Sequence, residues 1–120
     1  MEEKIVYKDL SYKIIGLAIE LSYGFLEKVY ENALMILLLE NGIEAQQQVP
    51  IKVSFHGKVV GDYIADILVE NQIILELKAQ EKIADIHKAQ ILNYLKATGL
   101  KLAIVLNFGK NRLESERLVL

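Results

Sequence analysis

Two strand-length apolar runs, Tyr63-Ile-Ala-Asp-Ile-Leu-Val69 and Ile73-Ile-Leu-Glu-Leu-Lys-Ala79, lie three residues apart in the middle of this chain. Both read as strands, and together they carry three charges: Asp66, Glu76 and Lys78. A charged group in a central strand is costly unless it is paired or binds a metal. Two carboxylates and an ammonium converging on one sheet face are what a hard cation and a phosphodiester require.

Whether they converge depends on register. In an antiparallel pair, each step along one strand is matched by a step back along the other. A two-residue Asn71-Gln72 turn pairs Glu70 with Ile73 and puts Asp66 opposite Leu77, on the wrong face. A three-residue Glu70-Asn71-Gln72 loop pairs Val69 with Ile73 and sets Asp66 against Glu76. Convergence therefore requires an odd loop, or a bulge, between the runs. Glu76 and Lys78 share a face, with Ile73, Leu75, Leu77 and Ala79 on the other. In the preceding strand Asp66 shares its face with Ile64 and Leu68, while Tyr63, Ala65, Ile67 and Val69 take the opposite one. Brought together, Asp66 and Glu76 suit Mg²⁺ or Mn²⁺, a cation that needs few carboxylates because it keeps several waters. The backbone carbonyl of Leu77 is a further candidate ligand. Such a metal acidifies a bound water and neutralises charge on a phosphate. Lys78 then positions that water or stabilises the charge. The competing reading is an ion pair of Lys78 with Glu76 or Asp66 on a half-exposed face.

The rest of the chain supplies a frame for these strands. Helical spacing predicts a first helix from Asp9, as cap, to about Ser22, with Leu10, Ile14, Leu17, Ala18 and Leu21 on one face. A second runs from about Phe25 to Asn41, with Gly42 after its end. Gln48 to Phe55 alternates as a strand, His56-Gly57-Lys58 turns, and Val59 to Val69 returns. Ala84 to Thr98 is a helix closed by Gly99. Lys101 to Asn107 is a fourth strand, and Arg112 to Leu120 could add a short edge strand. The order is ααβββαβ: a meander of three strands, then a right-handed βαβ crossover that sets strand four parallel to strand three. Helices on both faces of this mixed α/β (α+β) sheet bury the central strands on both sides.

A chain of 120 residues is read as a single domain, residues 1–120. Apolar content of 52% is high for its size and allows for an apolar surface used in self-association, so a homodimer or other homo-oligomer is open. The net charge of −2 gives no global pull toward nucleic acid, so any such contact must come from a local basic patch. Without cysteine, disulfides and thiolate metal sites are excluded. Met1-Glu-Glu-Lys4 does not resemble a signal peptide. No run approaches the roughly 18 apolar residues of a membrane span. The expected location is the cytoplasm.

Two helical constellations flank the strands. Glu27, Tyr30 and Glu31 fall at i, i+3 and i+4 on the second helix; for Glu31 a solvated face is the preferred reading. Gln90 and Tyr94 stack four apart on the last helix, with His87 a turn earlier. A lone His is a poor ligand candidate. Basic residues available for backbone contact are Lys82, Lys88, Lys96, Lys101, Lys110 and Arg112, of which Lys88 and Lys96 lie on the helix that carries Gln90.

Gly24-x-x-Glu27-x-x-Tyr30, Asp66, Glu76-Leu-Lys78 and Gln90-x-x-x-Tyr94, in that order, resemble the GxxExxY family of the PD-(D/E)XK nuclease superfamily, in its RecB-like branch with a Gln-x-x-x-Tyr motif. The resemblance runs from about Ile14 to Phe108. It takes in Gln48-Val-Pro-Ile51, Leu95-Lys-Ala-Thr-Gly99 and Asn107-Phe-Gly109, while Ile19–Gly24 is shorter than the family's segment and lacks its histidine. It implies an αβββαβ restriction-endonuclease-like core. It also implies a Mg²⁺- or Mn²⁺-dependent nuclease acting on DNA, or secondarily RNA. Asp66 and Glu76 match the metal ligands, Lys78 the catalytic lysine and Glu27 the helix glutamate completing the acidic cluster. Gln90 and Tyr94 match the motif beside the active site. Tyr30, Lys88 and Lys96 are candidate nucleic-acid contacts, with a solvated helix face the preferred reading for either lysine alone. The alternatives are a catalytically weak or inactive nuclease-fold protein that binds nucleic acid or a protein partner, and an interaction protein using Leu34–Leu39 and the apolar tail.

Overall fold

A computed structural model describes residues 7–21, 24–109 and 112–120. Its elements follow the periodicity of the chain: α1 (Lys8–Ile19), α2 (Glu27–Glu40), β1 (Ala45–Phe55), β2 (Lys58–Val69), β3 (Ile73–Lys78), α3 (Asp85–Thr98), β4 (Leu102–Asn107) and β5 (Glu114–Val119). The strands form one sheet in chain order. β1–β2 and β2–β3 are antiparallel, β4 lies parallel to β3 after the α3 crossover, and β5 returns antiparallel along β4. This mixed sheet is the architecture expected, and the tail does add an edge strand.

The differences lie at element ends. Asp9 does not cap α1; Tyr7 holds the cap position at φ 50° without a side-chain bond, and Asp9 sits in the first turn. Its carboxylate there still faces the positive end of the helix. Ser22, the expected end of the first helix, lies outside the described residues, as do Met1–Lys4 and Lys110. β1 starts at Ala45, three residues early, because Gln46 and Gln47 pair with Leu68 and Ile67. His56 and Gly57 alone form the first hairpin loop, both at positive φ, with Lys58 already paired to Phe55.

Two apolar layers cover the sheet. Ile14, Leu17 and Ala18 of α1 and Tyr30, Leu34 and Leu38 of α2 pack on Ile67, Val69, Ile73, Leu75, Leu77, Ile104 and Leu106. Ile91, Tyr94 and Leu95 of α3 pack on Ala65, Ile74, Ala103 and Val105. β4 is buried along its whole length, and β3 except at Lys78. The run Leu34–Leu39 divides accordingly: Leu34 and Leu38 are core, and Ile36 and Leu39 face outward. No helix among the described residues is long and apolar enough to cross a membrane.

The chain leaving β3 is fastened to the end of β4. Phe108 N–H donates to the Lys78 carbonyl at 2.8 Å. The Asn107 side-chain oxygen accepts from Gln80 N–H at 3.0 Å and from Gly109 N–H at 3.1 Å. The strands come so close here that a Cβ on Gly109 would overlap the Gln80 backbone, whereas one on Gly16 meets nothing within 4 Å. Gly109→Ala is expected to lower stability by about 3 kcal/mol, the high end for overpacking, because the clash is with backbone. Gly16→Ala, inside α1, is expected to raise it by about 0.5–1 kcal/mol. Urea unfolding of the two variants checks the opposite signs.

Candidate active site

The β2–β3 loop is odd, as convergence required. Val69 pairs with Ile73, Leu68 with Ile74 and Ile67 with Leu75. Glu70 and Asn71 take positive φ, and Gln72 N–H donates to the Val69 carbonyl at 2.9 Å. Beyond Ile67 the two strands part, while β3 goes on pairing with β4 to Lys78. Side chains fill the fork. The Asp66 Oδ2 accepts the Leu77 N–H at 2.8 Å, and Glu76 Oε1 accepts the Asp66 N–H at 3.4 Å. In a strand, a residue's N–H and C=O point to the same edge, so the Leu77 carbonyl also opens into the fork. Ile74 packs in the α3 layer, and alternation therefore places Glu76 and Lys78 on the α3 side.

β2 does not keep the strict alternation expected of it. Ile67 and Val69 pack under α1 and α2, but Ala65 packs under α3, and Tyr63 lies against Tyr94. β1 changes sides with it: Ala45 packs in the first layer and Ile51 in the second. The switch falls where the ladder skips Gln48 and Asp66, with Gln48 at φ 54°. One left-handed residue resets the alternation of its strand. For a residue other than glycine it costs about 1–3 kcal/mol.

What holds Gln48 there is Glu31. This α2 side chain is buried, and its carboxylate accepts from Lys28 Nζ at 2.9 Å, Gln47 Nε2 at 2.6 Å and Gln48 Nε2 at 2.9 Å. Its charge reaches Asp66. Glu27, given the role of completing the acidic cluster, opens α2 and is exposed. The helix acid coupled to Asp66 is therefore Glu31, not a solvated side chain as helical spacing alone suggests. Three amides in a row at Gln46–Gln48 were the available signal, since a strand start that polar needs a buried acceptor.

The electrostatics are those of a like-charged pair. Burial, then the neighbouring Asp66 charge, push Glu76 up to about 9. Burial also raises Asp66, opposed by the Leu77 N–H bond. Burial and then the charges of Glu76 and Asp66 push Tyr94 up to about 12, so its hydroxyl remains a donor beside them. Lys78 is half-buried and forms no salt bridge among the described residues, so the competing ion pair with Glu76 or Asp66 is not seen. Gln90 is exposed, one turn before Tyr94.

Two expected nucleic-acid contacts are otherwise engaged. Tyr30 is 1% exposed, stacks on Phe108 with centroids 4.1 Å apart and accepts the Phe25 N–H at 3.0 Å. It is core, because its place in the helix faces the sheet. Lys88 is bound by Glu116 at 3.1 Å and lies 3.7 Å from Asp85. Lys96 is exposed.

A model of the PD-(D/E)XK nuclease superfamily matches residues 8–118. The chain belongs to this superfamily. Among solved structures, the fold of this PD-(D/E)XK protein is similar to one described as "Crystal structure of SSO0001", with a TM-score of 0.60 and 20% identity. The match covers 77% of this chain and 48% of that one, so the chain spans about half the length of its structural relative. Comparison with curated proteins finds no match.

The donor set fits a divalent metal, which superfamily members generally use. No three acidic or imidazole side chains among the described residues gather tightly enough to cage an ion. The fork instead offers two crowded carboxylates and a carbonyl edge, enough for a cation that keeps its waters. Glu76 also makes the fork a pH-sensitive weak point. Below about pH 4.5 its carboxyl is protonated in both states. From there to about 9 only the unfolded chain ionises it, so unfolding gains as pH rises. In EDTA the melting temperature is expected to fall between pH 5 and 8.5, and to fall less in Glu76→Gln. Thermal melts across that range check it.

Proposed function

We propose that this PD-(D/E)XK protein is a cytoplasmic nuclease of the GxxExxY, RecB-like branch that hydrolyses phosphodiester bonds in DNA, and less readily in RNA, with Mg²⁺ or Mn²⁺. The observation that carries the reading is the Asp66–Glu76 pair. A buried Glu76 and a half-buried Asp66 held in one fork, with no salt bridge to Lys78, are hard to account for as structural elements. Asp66, Glu76 and the Leu77 carbonyl would hold the cation, which when bound supplies charge neutralisation and an acidified water.

This chain's own residues do the rest. Lys78 extends from the same face of β3 as Glu76, where an ammonium can orient the nucleophile or offset charge on the phosphate. Tyr94 keeps its proton and can donate a hydrogen bond near the acids. Gln90, free toward solvent, can donate to a phosphate oxygen. Glu31 takes the place among the acids that the resemblance gave to Glu27, acting through Gln48 and the bend it fixes in β1.

The test is cleavage of single- and double-stranded DNA and RNA with Mg²⁺ or Mn²⁺. Asp66→Ala and Lys78→Ala are each expected to lose about 10²- to 10³-fold in rate. Glu31→Gln should lose more than Glu27→Ala. Equal rates in wild type, Asp66→Ala and Lys78→Ala would trace the cutting to a contaminant and end the catalytic reading.

A further inference from the structure

We infer that the groove between the β1–β2 hairpin and α3 binds single-stranded nucleic acid and leads it to the Asp66–Glu76 fork; the inference rests on the nuclease reading above. A cavity of about 660 Å³ lies there, lined in part by Lys52, Ser54, Gly61, Tyr63, Asn93 and Lys96. Lys52 comes from β1 and Lys96 from α3, so two cations stand on facing walls. Both are exposed, and neither forms a salt bridge among the described residues, although Asp62 lies opposite Lys52 in the ladder. Lys88, on the same helix, is already bound by Glu116.

Tyr63 gives the groove its specificity. The residue is 36% exposed, and its ring packs against Tyr94 with centroids 5.4 Å apart at 45°. Tyr94 in turn feels the charges of Glu76 and Asp66, so the groove and the fork are joined through two rings. Gly61 leaves room for the Tyr63 ring. A Cβ there would lie 2.9 Å from Tyr63 Cε2 and 3.3 Å from Val53 Cβ, and the Gly61 backbone is not in the left-handed region. The glycine is required for room, not for conformation. Phosphates suit the two lysines, and an unpaired base presents a free π-face to an aromatic ring. Bases in a duplex are stacked on each other and offer that face only at an end. The groove therefore suits a single strand or a frayed end.

The test is fluorescence anisotropy of a short labelled oligothymidylate and of a duplex, with Ca²⁺ in place of Mg²⁺ so that binding is read apart from cutting. Wild type should bind the single strand more tightly. The Lys52→Ala/Lys96→Ala double variant should weaken binding and reduce the slope of log affinity against log salt by about 1.4, the value for two phosphates on a single strand. Tyr63→Ala should weaken it by about 5- to 150-fold, the range of one base–aromatic stack, while Tyr63→Phe should bind as wild type. Wild-type affinity and salt slope in the lysine double variant, or tighter binding of duplex than of single strand, would overturn the groove. The two readings fail separately. A protein that cuts nothing but shows these differences keeps the groove. One whose cutting depends on Asp66, yet whose groove variants bind and cut as wild type, loses it.

Discussion

A single hydrogen bond organises this molecule: the Leu77 N–H given to the Asp66 carboxylate at 2.8 Å. In a continuous sheet that donor would go to a backbone carbonyl of β2. Here β2 joins β3 only from Ile67 onward, and a side chain meets the obligation that every buried N–H carries. The substitution lets the sheet open without leaving the Leu77 N–H unsatisfied, and the opening is the proposed site. It also explains why Asp66 sits at that residue of β2, since only a short acid reaches back across the gap its own strand creates.

The opening is stabilised from the other side by Glu31. Its three donors come from α2 itself and from two glutamines of β1, so the helix grips the strand at the residue whose backbone is left-handed. The bend that Gln48 imposes on β1 is matched by β2, and both strands cross from one apolar layer to the other. The hairpin beyond the bend therefore stands over α3 instead of α1 and α2. A strained backbone, a buried carboxylate on a helix and a raised carboxyl in the fork are each unfavourable alone. They coincide within one small region, as expected where a site is held open against the tendency of a sheet to close.

The fold was legible because its elements have strong periods and its loops fix parity. Val69 and Ile73 bracket a loop that had to be odd for Asp66 to meet Glu76, and it is odd. The apolar strand Leu102–Asn107 and the crossover through α3 could be placed with the same confidence. What escaped was everything that depends on a change of face. Alternation assigned Ala65 and Tyr63 to the wrong layer because it cannot register one left-handed residue on a neighbouring strand. Glu31 was read as solvated because helical spacing cannot see three donors that arrive from elsewhere in the chain. Tyr30 was read as a contact and is core for the same reason: the motif gives its spacing, but the packing of Phe108 decides its surroundings.

Net charge describes only the molecule as a whole. A chain with a net charge of −2 looks unsuited to a polyanion. But charge acts locally, over about 8–10 Å in physiological salt. Several of the acids here are committed internally: Glu31 to Lys28 and the glutamines, Glu116 to Lys88, Glu76 and Asp66 to the fork. Once those are set aside, Lys52 and Lys96 stand out as cations lining the groove beside α3, with Tyr63 next to Tyr94 in the direction of the fork. On the proposed reading, an acidic fork behind a basic entrance would be self-consistent for a phosphodiester substrate: the entrance would supply attraction, and the fork, repulsive by itself, would become attractive with a cation in place.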